Sequence, residues 1–356
     1  MDLNTVKKLG NSPVTVPEIG TGLASWGENF LGYGKTHTAE DIYQAYRVCL
    51  DAGINFFDTA PGYGMGESER LLGKCVKKDG RPVIISTKFA APDPLSTLFE
   101  PKTVPRPEKK RRTPENMMEE SLDNSLHRLG VETVDLFTLH FPPAERLLDD
   151  YMDALAVMVS KGKARAVGVS NFSAPMLRRA HTRLAQRDIP LASVQSAFSL
   201  LYRYPEHNGV LDACRELNIS LIATGPLAQG VLTGKHRSGE TKLTGFQTFI
   251  SQMTRIDWYG ETKGQESRRE RFFTKPRALQ NEKLEPLFQV LEDIAKTHEK
   301  SIAQVAVNWL LAMDPLVIPI PGAKNARQAA ENAGIAGWSL TEEEYRRISQ
   351  AEVDSR

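Results

Sequence analysis

Eight short apolar runs, each followed by a helix-like stretch, constrain this chain more than any other feature of it. The runs occupy residues 16–24, 55–60, 83–89, 133–140, 164–171, 191–198, 220–227 and 317–321. Helical patterns fill residues 39–52, 66–78, 113–129, 146–161, 174–186, 209–217, 282–313 (two helices), 325–333 and 341–351. Stretches such as "VIISTKF" and "TVDLFTLH" are apolar on both faces, which suits parallel strands with helices outside and a packed interior within. Eight strand–helix units in 356 residues predict an α/β fold, a (β/α)8 TIM barrel forming one domain over residues 1–356 with a C-terminal helix. Thr113-Pro114-Glu115 supplies an N-cap, a first-turn proline and an acid, and Gly130 and Gly162 stand where C-caps belong. A doubly wound sheet would need a glycine-rich turn after its first strand. Gly20-Thr21-Gly22 begins one, but Ser25 stands where the third glycine is required.

Two connections exceed what a barrel needs. Residues 90–112, after the third strand, carry five prolines (Pro92, Pro94, Pro101, Pro105 and Pro107) and a basic run at 109–112. Residues 229–280, after the seventh, carry Phe246, Phe249, Trp258 and Tyr259 and the basic Arg268, Arg269 and Arg271. Both leave from the C-terminal face of the barrel, so each is a candidate wall of a substrate or cofactor pocket. The formal net charge is +1, which gives no reason to expect a nucleic-acid or membrane partner. Cys49, Cys75 and Cys214 are far apart and form no CxxC pair, which fits a reducing compartment and argues against a disulfide framework or structural zinc. No apolar leader opens the chain and no run of eighteen apolar residues occurs. A cytoplasmic location is expected, or the plastid stroma if a transit peptide has been removed.

In a TIM barrel, polar groups at the C-terminal ends of strands are catalytic candidates. Asp58 ends the second run, in "FFDTAPGYG". Tyr63 follows it between Gly62 and Gly64, which are expected to bring its hydroxyl back over the barrel mouth. Lys88 ends the third run and His140 the fourth. Each alone has a plainer reading as a cap, a packing group or a rim residue; together they converge on one mouth. A free phenol titrates near about 10, and a nearby ammonium stabilises phenolate, so Lys88 is expected to lower the Tyr63 pKa. A lysine near a barrel interior needs a carboxylate to offset it, which Asp58 supplies, so Asp58 is expected to act through Lys88. His140 can donate to the same substrate oxygen. The group suits protonation of a carbonyl oxygen as hydride reaches its carbon. No metal is expected, because Lys88 holds the centre and no ligand spacing is present.

These four residues, in this order, resemble the Asp-Tyr-Lys-His tetrad of the aldo-keto reductase superfamily. "NFFDTAPGYGMGESERLLGK", "ISTKF", "LHFPP" and "AVGVSNFS" each match a family segment. "IPLASVQSAFSLLYRYPEHNGV" and "VIPIPGAKNARQAAENAG" are most similar to plant and cyanobacterial-type members, with the potassium-channel β subunits more distant. The resemblance implies a barrel that binds NADP(H) across its strand C-termini. It implies Ser170, Asn171 and Gln195 at the carboxamide, and Gly225, Pro226, Leu227, Ala228, Gln229 and Lys235 around the pyrophosphate. Gly322, Lys324, Gln328, Glu331 and Asn332 would meet the adenosine end, with Lys324 near a 2′-phosphate, so NADPH is favoured over NADH. Gly22 and Leu23 stand by the cofactor at the first strand, where Leu23 and Ala24 depart from the usual family pair. Thr224 stands where many members carry a ring that stacks on nicotinamide, so weaker cofactor retention is expected, or compensation by Phe246 or Trp258. Trp26, Tyr33, Phe89 and Phe141 are expected to wall an apolar pocket for a small-molecule aldehyde, ketone or alcohol. The expected function is an NADP-dependent oxidoreductase with Tyr63 as general acid. The alternative is a cofactor-binding sensor or partner-binding module with slow residual activity. Substrate, reaction direction and oligomeric state do not follow from these residues.

Overall fold

The computed structural model describes residues 6–91, 113–235 and 281–351. Most of both long connections, with their basic runs and the loop aromatics Phe246, Phe249, Trp258 and Tyr259, lies outside the described residues. The chain begins with an antiparallel hairpin, β1 (Val6–Lys8) and β2 (Thr15–Pro17). Eight parallel strands follow: β3 (Thr21–Gly22), β4 (Phe56–Asp58), β5 (Ile84–Phe89), β6 (Val134–Leu139), β7 (Ala164–Ser170), β8 (Leu191–Ala197), β9 (Ser220–Thr224) and β10 (Val317–Pro319). They pair in chain order. The first and last meet through Gly20 N–H to the Pro319 carbonyl (3.0 Å) and Gly22 N–H to the Pro321 carbonyl (3.2 Å), which closes the sheet into a (β/α)8 barrel.

The surrounding helices are α1 (Ala39–Asp51), α2 (Glu67–Asp79), α3 (Pro114–Leu129), α4 (Leu148–Ser160), α5 (Ala174–Ala185), α6 (Tyr204–His207), α7 (Val210–Leu217), α8 (Asn281–His298), α9 (Ile302–Met313), α10 (Ala326–Ala333) and α11 (Glu342–Gln350). Their starts follow local chemistry. Thr38 with Asp41, Ser301 with Gln304 and Thr341 with Glu344 form capping boxes for α1, α9 and α11. Thr113 caps α3 ahead of its first-turn proline, and Gly130 ends that helix in the left-handed conformation. The expected pair within residues 282–313 is α8 and α9. The short α6 carries no periodic signal and was not anticipated. None of the described helices is long and apolar enough to cross a membrane.

One expected strand divides. Residues 16–24 contribute β2 to the hairpin and then β3 to the barrel. The apolar pattern runs on through the change, because both pieces bury side chains. Leu9, Val14 and Val16 of the hairpin join Phe56, Leu136, Ala166, Ala192, Ile222, Ile318 and Ile320 in one buried cluster, the barrel interior. The hairpin therefore plugs the N-terminal end. It is pinned there by Lys7 Nζ donating to the Val317 carbonyl (2.9 Å) and by Gly10 N–H donating to Ser220 Oγ (3.0 Å).

Strand alternation carries that inward face to the other end. Two residues beyond Phe56 stands Asp58, four beyond Leu136 stands His140, and four beyond Ala166 stands Ser170. In β8 the alternation is broken. Val167 faces Leu191 while Gly168 faces Ser193, so Ala192 is an extra residue and the strand bulges. After the bulge Ser193 turns inward beside Gly168, where a Cβ would lie 2.5 Å from Ser193 Oγ. Gln195 is thereby aimed at the mouth beside Ser170, its register partner.

Candidate active site

Asp58 and Lys88 end adjacent strands and meet inside the mouth. Lys88 is 0 % exposed and Asp58 2 %. Lys88 Nζ donates to Asp58 Oδ2 at 2.6 Å and to the Thr59 carbonyl at 2.8 Å, while Ser86 Oγ donates to Asp58 Oδ1 at 2.8 Å. Burial by itself would push the Lys88 ammonium down; the Asp58 carboxylate and the Tyr63 phenol outweigh it, so Lys88 titrates above its ordinary value.

Tyr63 opens a 3-10 turn, Tyr63–Gly66, in which Gly64, Met65 and Gly66 have φ of 57°, 53° and 86°. A Cβ at Gly64 would lie 2.6 Å from the Gly27 carbonyl oxygen, and the Gly64 N–H donates to Glu28 Oε1 at 2.5 Å. Only glycine fits there. Gly62, by contrast, is ordinary right-handed backbone with open space around its Cβ position. The turn therefore depends on Gly64 and Gly66, and the expected role of Gly62 does not hold. Lys88 Nζ lies 5.1 Å from the Tyr63 ring centre, close enough for its charge to act on the phenol.

The sign of the Tyr63 shift differs from expectation. Burial pushes its pKa up, Lys88 pulls it down and Asp58 pushes it up again, with a net rise. Charge alone argued for a fall. The phenol is desolvated by the site, and the carboxylate beside Lys88 cancels part of the ammonium's field. At rest the hydroxyl is therefore fully protonated.

His140 stands edge-on to Tyr63, ring centres 6.1 Å apart, and stacks on Phe141 at 4.5 Å. Its backbone N–H donates to the Phe89 carbonyl, and its backbone carbonyl accepts from Asn171 Nδ2 at 3.2 Å. Burial and the Lys88 charge push the imidazole down to about 3, so it is neutral at physiological pH. The four expected residues thus come together, from the ends of β4, β5 and β6 and the turn after β4.

The expected cofactor residues fall along one arc of the mouth, from β7 to β10 and back to β3. Ser170 and Gln195 are buried at the ends of β7 and β8. Asn171 is left-handed (φ 60°) and donates to Ser170 Oγ at 3.0 Å. Past Thr224 at the end of β9, Gly225, Ala228, Gln229 and Gly230 all have positive φ. Around them Pro226 is buried, Leu227 is partly buried and Lys235 is exposed. At the end of β10, Gly322 is exposed, Gln328 Oε1 accepts the Lys324 N–H (2.9 Å) and Asn332 Nδ2 donates to the Gly322 carbonyl (3.1 Å). Lys324 Nζ donates to the Leu31 carbonyl at 2.8 Å, and burial pushes its pKa down. The Glu331 carboxylate accepts from Ser301 Oγ. Gly22 bridges to Gly322, while the Leu23 side chain is wholly buried.

The expected pocket walls separate. Phe141 is 41 % exposed above His140. Tyr33 sits edge-on to His37 in the loop after β3. Phe89 borders a cavity of about 310 Å³ with Pro61, Met117 and Arg128. Trp26 is 0 % exposed, tilted against Phe57, with its indole N–H on the Ala323 carbonyl (2.8 Å). It has no surface for a substrate and is a core residue, because the loop after β3 folds inward against the segment after β10. Sequence reasoning missed the polar residues behind the tetrad: Ser86, Thr59, Ser68, Thr87 and Glu69. Their signal was weak, being single hydroxyls and one acid inside otherwise ordinary elements.

The model of the aldo/keto reductase family matches residues 18–353. The chain is 33% identical over 366 residues to a chloroplastic pyridoxal reductase of Arabidopsis thaliana, covering 98% of this chain and 87% of that protein. It is 31% identical over 357 residues to an aldo-keto reductase of Schizosaccharomyces pombe, yakc, whose name specifies NADP(+), covering 97% and 90%. Its fold is similar to that of a glycerol dehydrogenase from Gluconobacter oxydans, with a TM-score of 0.72 at 26% identity over 99% of this chain and 95% of that one. With this match over almost all of its length, the chain belongs to the aldo/keto reductase family.

Proposed function

We propose that this chain, acting as one domain, is an NADP(H)-dependent oxidoreductase that interconverts a small aldehyde or ketone and its alcohol. The observation that carries the reading is the fully buried Lys88 ammonium, 2.6 Å from Asp58 and against the Tyr63 phenol. Burying an ion pair costs several kcal/mol per ion, and well-packed apolar residues often serve stability as well or better. A charge held at a barrel mouth beside a phenol suits proton transfer.

The residues present fit a nicotinamide dinucleotide. Ser170, Asn171 and Gln195 offer donors and acceptors to a carboxamide. Successive left-handed residues in the loop after β9 suit an anion. Lys324 Nζ commits one of its three donors to the Leu31 carbonyl, and a phosphate would offset its desolvation. A nicotinamide held there would supply the hydride equivalent for the carbonyl carbon. The chain handles the proton. Tyr63 O–H donates it to the carbonyl oxygen, the resulting phenolate is stabilised by Lys88, and solvent reprotonates it. Asp58 keeps Lys88 charged. Neutral His140 donates a hydrogen bond to the same oxygen and orients it. A phenol with a raised pKa stays loaded as a donor across the physiological range, and oxidation of alcohol, which needs phenolate, should gain with rising pH.

The test is NADPH oxidation by the purified protein with a panel of aldehydes, pyridoxal among them. Turnover that Tyr63→Phe lowers by about 10²- to 10⁴-fold without loss of cofactor binding supports the reading. Tight NADPH binding with no turnover on any aldehyde would favour a cofactor-binding sensor instead.

A further inference from the structure

Ser68 and Glu69, adjacent in the first turn of α2, take no part in the proton chemistry, yet they are bonded to the residues beside it. Both are 0 % exposed. Ser68 Oγ donates to the Leu23 carbonyl (3.0 Å) and lies 2.8 Å from Thr59 Oγ1. The single hydroxyl proton of Ser68 is committed to Leu23, so Thr59 is the donor in the second bond. Glu69 Oε1 accepts from Thr87 Oγ1 at 2.6 Å, and its Oε2 accepts from Arg128 Nε at 2.6 Å. Thr59 directly follows Asp58, and Thr87 directly precedes Lys88. Side chains alternate along a strand. Thus Asp58 and Lys88 face the mouth while the two threonine hydroxyls face the helix layer. The same helix begins directly after the Tyr63–Gly66 turn.

We propose that Ser68 and Glu69 form a positioning element that sets the separation of Asp58, Lys88 and Tyr63. They hold the neighbours of the first two from behind and open the helix that carries the turn of the third. This rests on the reading of Tyr63 as the acid. A contact needing adhesion alone would be served by apolar side chains, without the penalty of burying a carboxylate. Hydrogen bonds are directional and fix a distance. Displacement of a reacting group by about 1 Å can lower a rate about a hundredfold.

Thr87→Val is the cleanest test, because it removes the bond to β5 and keeps the Glu69–Arg128 pair. Thr59→Val tests the other arm and gives the same readout if the first variant does not fold. In carbonyl reduction, kcat is expected to fall about ten- to a hundredfold, with KM for the aldehyde and NADPH binding changed less than about twofold. The alkaline limb of the pH–rate profile is expected to move, since it reports Tyr63 as it faces Lys88, Asp58 and His140. Thr87→Ser should restore both. A lowered melting temperature with kcat and profile unchanged would mean a structural contact only, and the inference would fall while a Tyr63→Phe loss left the acid assignment standing. A fully active Tyr63→Phe would remove both.

Discussion

The two ends of the barrel are built on the same inward-facing register and do opposite things with it. At the N-terminal end the strands present Phe56, Leu136, Ala166 and Ile222, and a hairpin seals them with Leu9, Val14 and Val16. At the C-terminal end the same strands present Asp58, His140, Ser170 and Thr224, with Lys88 from β5. One end gains stability from apolar burial, at about 1.5–3 kcal/mol for each large side chain. The other spends part of that gain on holding an ionised pair away from water. Stability and chemistry are therefore separable along a single strand of three residues, Phe56–Asp58.

Substitutions at the two ends should behave accordingly. Lys88→Met should have the largest effect. It leaves Asp58 buried without its partner, which costs about 3–5 kcal/mol, and it should abolish turnover. Adding Asp58→Leu should recover most of the stability and none of the activity, as measured by chemical denaturation and NADPH oxidation. Recovery of activity would break the distinction. At the opposite end, Leu9→Ala should cost about 2–5 kcal/mol and leave kcat unchanged at a temperature where the variant is folded; a parallel loss of kcat would show that the plug and the mouth are coupled. Lys324→Met should weaken NADPH about tenfold and NADH far less, as one lost charge-assisted contact implies. Equal losses for the two cofactors would place the 2′-phosphate elsewhere.

The smallest effect on stability at neutral pH belongs to His140. Its folded pKa is pushed down to about 3, against about 6.5 in an unfolded chain. Between these values the unfolded chain binds a proton that the fold refuses, so this group contributes a loss of stability as pH falls from about 6.5 toward 3. His140→Gln should leave stability unchanged at pH 7 and flatten its decline over that window. An unchanged slope in acid denaturation would show that the imidazole is not desolvated as described.

Much of this could be read along the chain. Seven of the eight expected barrel strands appear within two or three residues of their expected bounds, because strands buried on both faces leave an unbroken apolar run. The exception, residues 16–24, failed for the same reason. Apolar burial in a hairpin and in a barrel look alike in one dimension, and the only marks of the change of sheet are the breakers Pro17, Glu18 and Gly20. Asp58, Lys88 and His140 were legible because each breaks an apolar run at a strand end, and Tyr63 because it follows Asp58 between two glycines. Trp26 was misplaced because an indole that fills a core and one that walls a pocket have the same sequence signature. Ser68 and Glu69 were invisible, since their importance lies in partners 9 and 18 positions away.

The sequence by itself determined the barrel, the family segments and the four polar side chains that meet at its mouth, because periodicity, caps and strand-end polarity are local properties. Only the tertiary structure decided the sign of the Tyr63 shift, the neutrality of His140 and the bulge that turns Gln195 inward. Those depend on desolvation and on distances between groups far apart in the chain, and neither quantity is carried by residue order.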